Sequence, residues 1–207
     1  MSDYRALAAV LAYPERELVE AVPELAQRLP GLKNFLGEFR DTPLVRLQER
    51  YVELFDRSRA LSLHLFEHVH GESRDRGQAM VDLAQTYASR GYAVAGNELP
   101  DYLPAFLEFL SVLPLEEAEG MLGETADILR ALGDRLAERG SRYCEVFAAL
   151  LAAAREPGLT RKLALRPTPG EESLPEAIDK AWMDAPVNFM DAGGAQPVKF
   201  YPRGARP

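Results

Sequence analysis

Apolar residues recur along this chain at three- and four-residue spacing, the period of helices that lay one face against a core. Tyr4, Leu7, Val10 and Leu11 predict a first short helix, stopped by Pro14 because proline cannot continue a helical hydrogen-bond ladder. Leu18, Val22, Leu25 and Leu29 share a face of a second helix over 15–29, with acids at its start and Pro23 as a point of division. A brief helix follows over 32–39. Asp41-Thr42-Pro43 then reads as a start signal, a capping residue ahead of proline at the first helical position. The helix it opens carries Leu44, Leu47, Tyr51, Leu54 and Phe55 and is expected to run on into another helical stretch. There Leu61, Leu65 and Phe66 recur, and His64 and His68, four apart, share a face until Gly71 ends the helix.

Beyond Gly71, Met80, Leu83, Ala84 and Tyr87 predict a helix closing at Gly91. The loop GYAVAGNELPDYLP is turn chemistry, with two glycines and two prolines. Leu103, Phe106, Leu107 and Leu110 make the next helix. Leu115, Ala118, Leu122, Leu129, Leu132 and Leu136 predict one long helix ending at Gly140, and Val146, Phe147, Leu150 and Leu151 the last, over 143–154. No segment alternates with period two over a convincing length, so the fold class is all-α: a single compact helical bundle over 1–155. Residues 156–207 hold 8 of the 15 prolines and 5 of the 15 glycines, which predicts a largely unstructured tail. One short helix near 174–184, bearing the only tryptophan, Trp182, is the exception there.

Charge and composition narrow the function. With 207 residues, 47% of them hydrophobic, the chain can bury one sizeable core. A net charge of -8 argues against nucleic acid and leaves room for a basic partner. All of that charge lies in residues 1–155, with 17 basic and 25 acidic side chains. A single cysteine, Cys144, excludes an internal disulfide, and its apolar neighbours mark it as an inert buried thiol. The first residues lack a signal peptide pattern and no apolar run reaches membrane-spanning length, so the expectation is a soluble, cytoplasmic protein without membrane insertion.

Unusual side chains concentrate at 51–82: all three histidines, an arginine set (Arg57, Arg59, Arg74, Arg76), and acids at Asp56, Glu67, Glu72 and Asp75. His64, His68 and His70 allow a metal-dependent hydrolase as one alternative, although the HExxH order is absent. The other reading is of hydrogen-bonded histidines tying helices together. No dinucleotide fingerprint, P-loop or GxSxG elbow occurs, which argues against catalysis. The arginines and acids read as a pairing network, and the mixture of aromatic and charged groups suits the floor and rim of a peptide groove. The loop 97–104 is a second candidate element, stiffened by its prolines; its plainer role is a helix connection with Asp101 capping the helix that follows. The tail helix around Trp182 leaves a further alternative, an interaction module acting through the tail.

YVELFDRSRALSLHLFEHVHGESRDRGQAMVDL, then NELPDYLPAFLEFL and a long leucine-rich stretch, closely resemble the NarJ branch of the TorD/DmsD/NarJ family of redox enzyme maturation chaperones. The resemblance covers residues 1–155, and AIDKAWMDAPVNF is similar to a weaker C-terminal motif of that family. It implies a helical chaperone, not an enzyme, without a cofactor of its own. Its implied partner is the N-terminal segment of the apo catalytic (alpha) subunit of respiratory nitrate reductase. That subunit would be held competent to receive bis-molybdopterin guanine dinucleotide and iron-sulfur clusters, the chaperone staying out of the finished enzyme. Molybdenum cofactor delivery proteins are left open as further partners.

An amphipathic client helix is then expected in a groove between the central stretch and the 98–104 loop. Tyr51, Phe55, Phe66, Leu99, Tyr102 and Phe106 are the expected anchors, Glu72, Asp75, Glu98 and Asp101 the charged rim, and His70 and Arg76 shape the groove. On this reading Asp101→Arg or Tyr102→Ala weakens client binding and leaves thermal unfolding nearly unchanged.

Overall fold

Asp3 opens the first helix, α1 (Tyr4–Leu11), its carboxylate accepting the Ala6 N–H at 3.0 Å. In the computed structural model, which describes residues 3–70, 75–94, 96 and 98–163, α1 is nearly all core. α2 (Arg16–Arg28) contains Pro23 without being divided by it. A 3₁₀ turn at Pro30–Leu32 leads to α3 (Lys33–Asp41), and α4 (Leu44–Tyr51) follows. Pro43 is the capping residue of α4 rather than its first helical one, and Asp41 pairs with Arg40 instead of capping.

The expected continuous helix through the central stretch is not observed. α4 widens into a π turn at Val52–Asp56, and a 3₁₀ turn occupies Arg59–Leu61. Ser62 and His64 are then extended, with a bend at Leu63 between them, before the short helix α5 (Leu65–Val69). Leu61, Ser62, Leu63 and Leu65 are all buried, Leu61 closing the 3₁₀ turn and Leu65 opening α5. This segment pairs antiparallel with the 98–104 loop: the Leu103 N–H donates to the Leu63 carbonyl at 2.8 Å, and the Leu65 N–H to the Asp101 carbonyl at 3.0 Å.

α6 (Asp75–Ser89) lies at the periphery, with Tyr87 its one fully buried side chain and Met80 and Leu83 half-buried. α7 (Leu103–Leu110) packs along α1. The long helix expected over 115–136 is two, α8 (Leu115–Gly123) and α9 (Ala126–Glu138). Glycines 120 and 123 weaken the end of α8, and both the N–H and the hydroxyl of Thr125 turn back to the Leu122 carbonyl. α10 (Tyr143–Ala153) packs along α9 and completes the core. Among the described residues there are ten α-helices and no strand, and none of the helices is long and apolar enough to cross a membrane.

Gly91 and Gly140 end α6 and α9 in the left-handed conformation that glycine adopts without strain. Arg155 does the same after α10 at φ 57°, sending the Glu156 N–H back to the Leu151 carbonyl. Residues 156–163 then return along α9. Leu159 fills a notch at Gly133, and Asp134 accepts the N–H groups of Thr160 and Arg161, each at 2.9 Å. The expected tail helix and Trp182 lie outside the described residues.

Candidate functional site

Tyr51 organises one wall of a cleft. Its hydroxyl donates to the Leu11 carbonyl at 3.0 Å, while Gln48, on the same helix, donates to the Pro14 carbonyl at 2.9 Å. These bonds moor α4 to the end of α1 and leave the Tyr13 ring edge-on to Tyr51, centroids 5.5 Å apart and 42% exposed. The π turn carries the wall on through Phe55, its ring tilted against Tyr51 with centroids 4.9 Å apart, to Asp56. π turns are uncommon and gather at functional sites because they alter which residues face a wall.

The opposite wall comes from the paired segments. Tyr102 reaches the Tyr51 hydroxyl at 3.0 Å and lies against the His64 ring, with Glu98 beside it. Together Tyr13, Tyr51, Phe55, Asp56, Leu63, His64, Glu98 and Tyr102 enclose about 230 Å³. Burial raises the pKa of both the Tyr51 and Tyr102 phenols, keeping them protonated. A second, more open depression shares Tyr13 and continues past Val45 of α4 and Val52 of the π turn.

Asp101 fixes this wall from behind. It is 0% exposed and accepts the Phe66 N–H at 3.1 Å, capping α5 from another part of the chain. Its other oxygen meets His64 Nδ1 at 3.1 Å, and Arg76 stands 3.8 Å away while also bonding Glu67 at 3.3 Å. The hydrogen bond that the His64 ring donates to Asp101 holds the imidazole above its ordinary pKa. Asp101 is therefore a buried hub and not an acid on the rim, and it caps α5 rather than α7. Placing a guanidinium there, as in Asp101→Arg, is a folding lesion.

The remaining expected residues divide. Tyr51, Phe55, Glu98 and Tyr102 line the cleft, and Leu99 stands next to them, 43% exposed. Phe106 is buried in the core of α7. Phe66 is half-buried against the His70 ring, and Asp75 is exposed in the first turn of α6. Glu72 lies outside the described residues. Tyr13, Asp56, Leu63 and His64 were not expected on a cleft wall; the alternation of Leu61-Ser62-Leu63-His64-Leu65 was the available signal for the last two. His64 is not on the helix of His68, whose Nε2 meets the Ser62 carbonyl at 2.8 Å, so the two do not share a face. Among the described residues no group of three or more His, Cys, Asp or Glu could hold a metal.

Comparisons with known proteins agree with this architecture. Residues 19–149 match the family described as "Nitrate reductase delta subunit". The chain is 40% identical over 193 residues to the "Nitrate reductase molybdenum cofactor assembly chaperone NarJ" of Escherichia coli K12, covering 87% of this chain and 82% of that protein. It is 38% identical over 213 residues to the "Probable nitrate reductase molybdenum cofactor assembly chaperone NarW" of the same strain, covering 98% and 92%. The crystal structure of a redox enzyme maturation protein from Archaeoglobus fulgidus superposes with a TM-score of 0.59 at 20% identity, over 74% of this chain and 92% of that one. The relatives are named for assembly and not for catalysis, and the chain belongs to the nitrate reductase delta subunit family.

Proposed function

We propose that this protein is a cytoplasmic assembly chaperone that binds the N-terminal segment of the apo catalytic subunit of nitrate reductase. It holds that subunit competent for molybdenum cofactor insertion, delays membrane assembly until loading is complete, and leaves before the enzyme is finished. The observation that carries the reading is the cleft between the π turn and the 98–102 loop in a chain of this family. An aromatic floor, exposed apolar groups at Tyr13 and Leu99, and acids at the mouth suit an amphipathic basic segment. The depression past Val45, which is 63% exposed, extends the same surface along α4.

Of the residues expected from sequence, Tyr51, Phe55, Tyr102, Leu99 and Glu98 form the client-facing set; Tyr13 and Asp56 join them. Asp101, Arg76 and Glu67 hold the wall in place, and Phe106 belongs to the packing beneath. Calorimetric titration with a synthetic peptide of about fifteen residues from the N-terminus of the catalytic subunit, at two salt concentrations, tests the proposal. Binding in the micromolar range or tighter, weakening as salt rises, is the expected result. The absence of binding at either salt refutes it.

A further inference from the structure

We propose that the cleft between Tyr51 and Tyr102 is a subsite for a single cationic side chain of the client, the guanidinium group of an arginine. The inference rests on the peptide-binding reading above and adds the chemistry of one position. It follows from assigning protons around the cleft.

The Tyr51 hydroxyl has one proton, and the Leu11 carbonyl 3.0 Å away can only accept. That proton is therefore committed to Leu11. The contact between the Tyr51 and Tyr102 hydroxyls, also 3.0 Å, must then use the proton of Tyr102. Tyr102 is left with lone pairs alone.

His64 follows the same logic. Its Nδ1 faces a buried carboxylate oxygen of Asp101 at 3.1 Å, so that nitrogen carries a proton. In the neutral ring, which prevails above the raised pKa of His64, Nε2 is then an acceptor. Asp56 and Glu98 are acceptors by nature, and among the described residues neither forms an ion pair or a side-chain hydrogen bond. With neutral His64, the polar side chains of both walls offer acceptors, two of them carboxylates without an ion pair among the described residues, and only the exposed Tyr13 hydroxyl can donate as well. A ligand that brings only donors and positive charge meets that demand; an anion or an acceptor-rich group does not.

Size and shape select the ion. A volume of about 230 Å³ is below the range of pockets for drug-sized ligands but admits one long side chain. Tyr13, Tyr51, Phe55 and Tyr102 supply aromatic surface on which a planar cation can stack. Asp56 ends the π turn on one wall, and Glu98 stands on the loop of the other. A guanidinium, with five donors in a planar fork, can engage both carboxylates and a phenol oxygen, whereas an ammonium is a compact point charge.

The test uses the full chain and the catalytic-subunit peptide, with each arginine replaced in turn by citrulline and each lysine by norleucine. These peptides are titrated into the wild-type protein and into an Asp56→Asn/Glu98→Gln variant. Both substituted residues are exposed, so the melting temperature should hold. One citrulline peptide is expected to bind wild type about tenfold more weakly than the parent and to lose nothing further against the variant. Tyr13→Leu, which removes a ring on another element and keeps both carboxylates, is expected to weaken the parent peptide and shrink the same citrulline loss. If the parent binds but every replacement costs the same in wild type and variants, the subsite is refuted while peptide binding stands. Coupling at a lysine overturns the guanidinium assignment. No binding of the parent peptide removes both readings.

Discussion

α10 and the segment Leu61–Phe66 are both rich in buried apolar side chains, yet different forces hold them. In α10, Val146, Phe147, Leu150 and Leu151 are fully buried, and burial pushes the Cys144 thiol up to about 11, as a dry core requires. Beyond the pair of Arg142 at its start with Glu38 of α3, at 3.8 Å, apolar packing keeps this helix in place. Leu61, Leu63 and Leu65 are nearly as deeply buried, but they belong to no long helix, and their position depends on the 98–104 loop and on one carboxylate. A packed helix tolerates small changes of shape. A segment positioned through a polar hub tolerates changes of volume nearby but not the loss of a single acceptor.

Three substitutions, two in α10 and one at the hub, expose this difference. Phe147→Ala should cost about 3–5 kcal/mol by denaturant unfolding, the range for truncating a buried aromatic, whereas the shape-conserving Leu150→Met should cost less than about 1.5 kcal/mol. Asp101→Asn changes almost no volume, but only its amide oxygen can accept, so either the Phe66 N–H or His64 loses its acceptor. The expected loss is about 1.5–3 kcal/mol, the value of a hydrogen bond to a charged group. Equal tolerance of Leu150→Met and Asp101→Asn would mean that the wall is held by packing after all.

Gly133→Ala tests a third attachment, that of residues 156–163. A Cβ there collides with Leu159 Cδ2 and presses on Phe147 Cβ at 3.0 Å. About 1–3 kcal/mol should be lost, with faster hydrogen exchange at the Thr160 and Arg161 amides that Asp134 accepts. Unchanged exchange would show that Leu159 yields without detaching. Tyr102→Phe is milder: it removes the donor to Tyr51 and nothing of the core, for about 0.5–1.5 kcal/mol. It should leave α10 unaffected in hydrogen exchange while loosening the 98–104 loop.

These contrasts also mark what could be read from the sequence. α10 and α7 were legible because an apolar face at helical spacing has one simple solution, burial against other helices. The stops at Gly91 and Gly140 were legible because glycine favours a left-handed turn; the stop at Arg155 was not, since no residue type announces it. Leu61 and Leu65 fit a helical face and an alternating strand equally well, and Leu63 between them was the discriminating residue. Asp101 looked like a surface acid because its partners, His64 and Phe66, are 37 and 35 residues away. Helical spacing reports which residues share a face but not which distant group accepts from them. Tyr51, Phe55 and Tyr102 could be named as aromatic groups near a groove, whereas Tyr13 and Asp56 needed the π turn and the α1 mooring to bring them there.

The smallest effect expected concerns pH. Asp101 stabilises the protonated form of His64, so the folded pKa lies above the ordinary imidazole value of 6.5. A group whose pKa rises on folding contributes stability that is fully present below the unfolded pKa and is lost as pH climbs through the folded one. The melting temperature of wild type relative to His64→Gln should therefore be highest below pH 6.5 and should decline as pH rises above it. Glu67 reinforces this direction and Arg76 opposes it, so Glu67→Gln should flatten the profile and Arg76→Gln should steepen it. The same titration in Leu150→Met should follow wild type, because α10 carries no such linkage. A difference between wild type and His64→Gln that stays constant from pH 5.5 to 8.5 would assign His64 a steric role in the wall, leaving Asp101 bound by Phe66 and Arg76 alone.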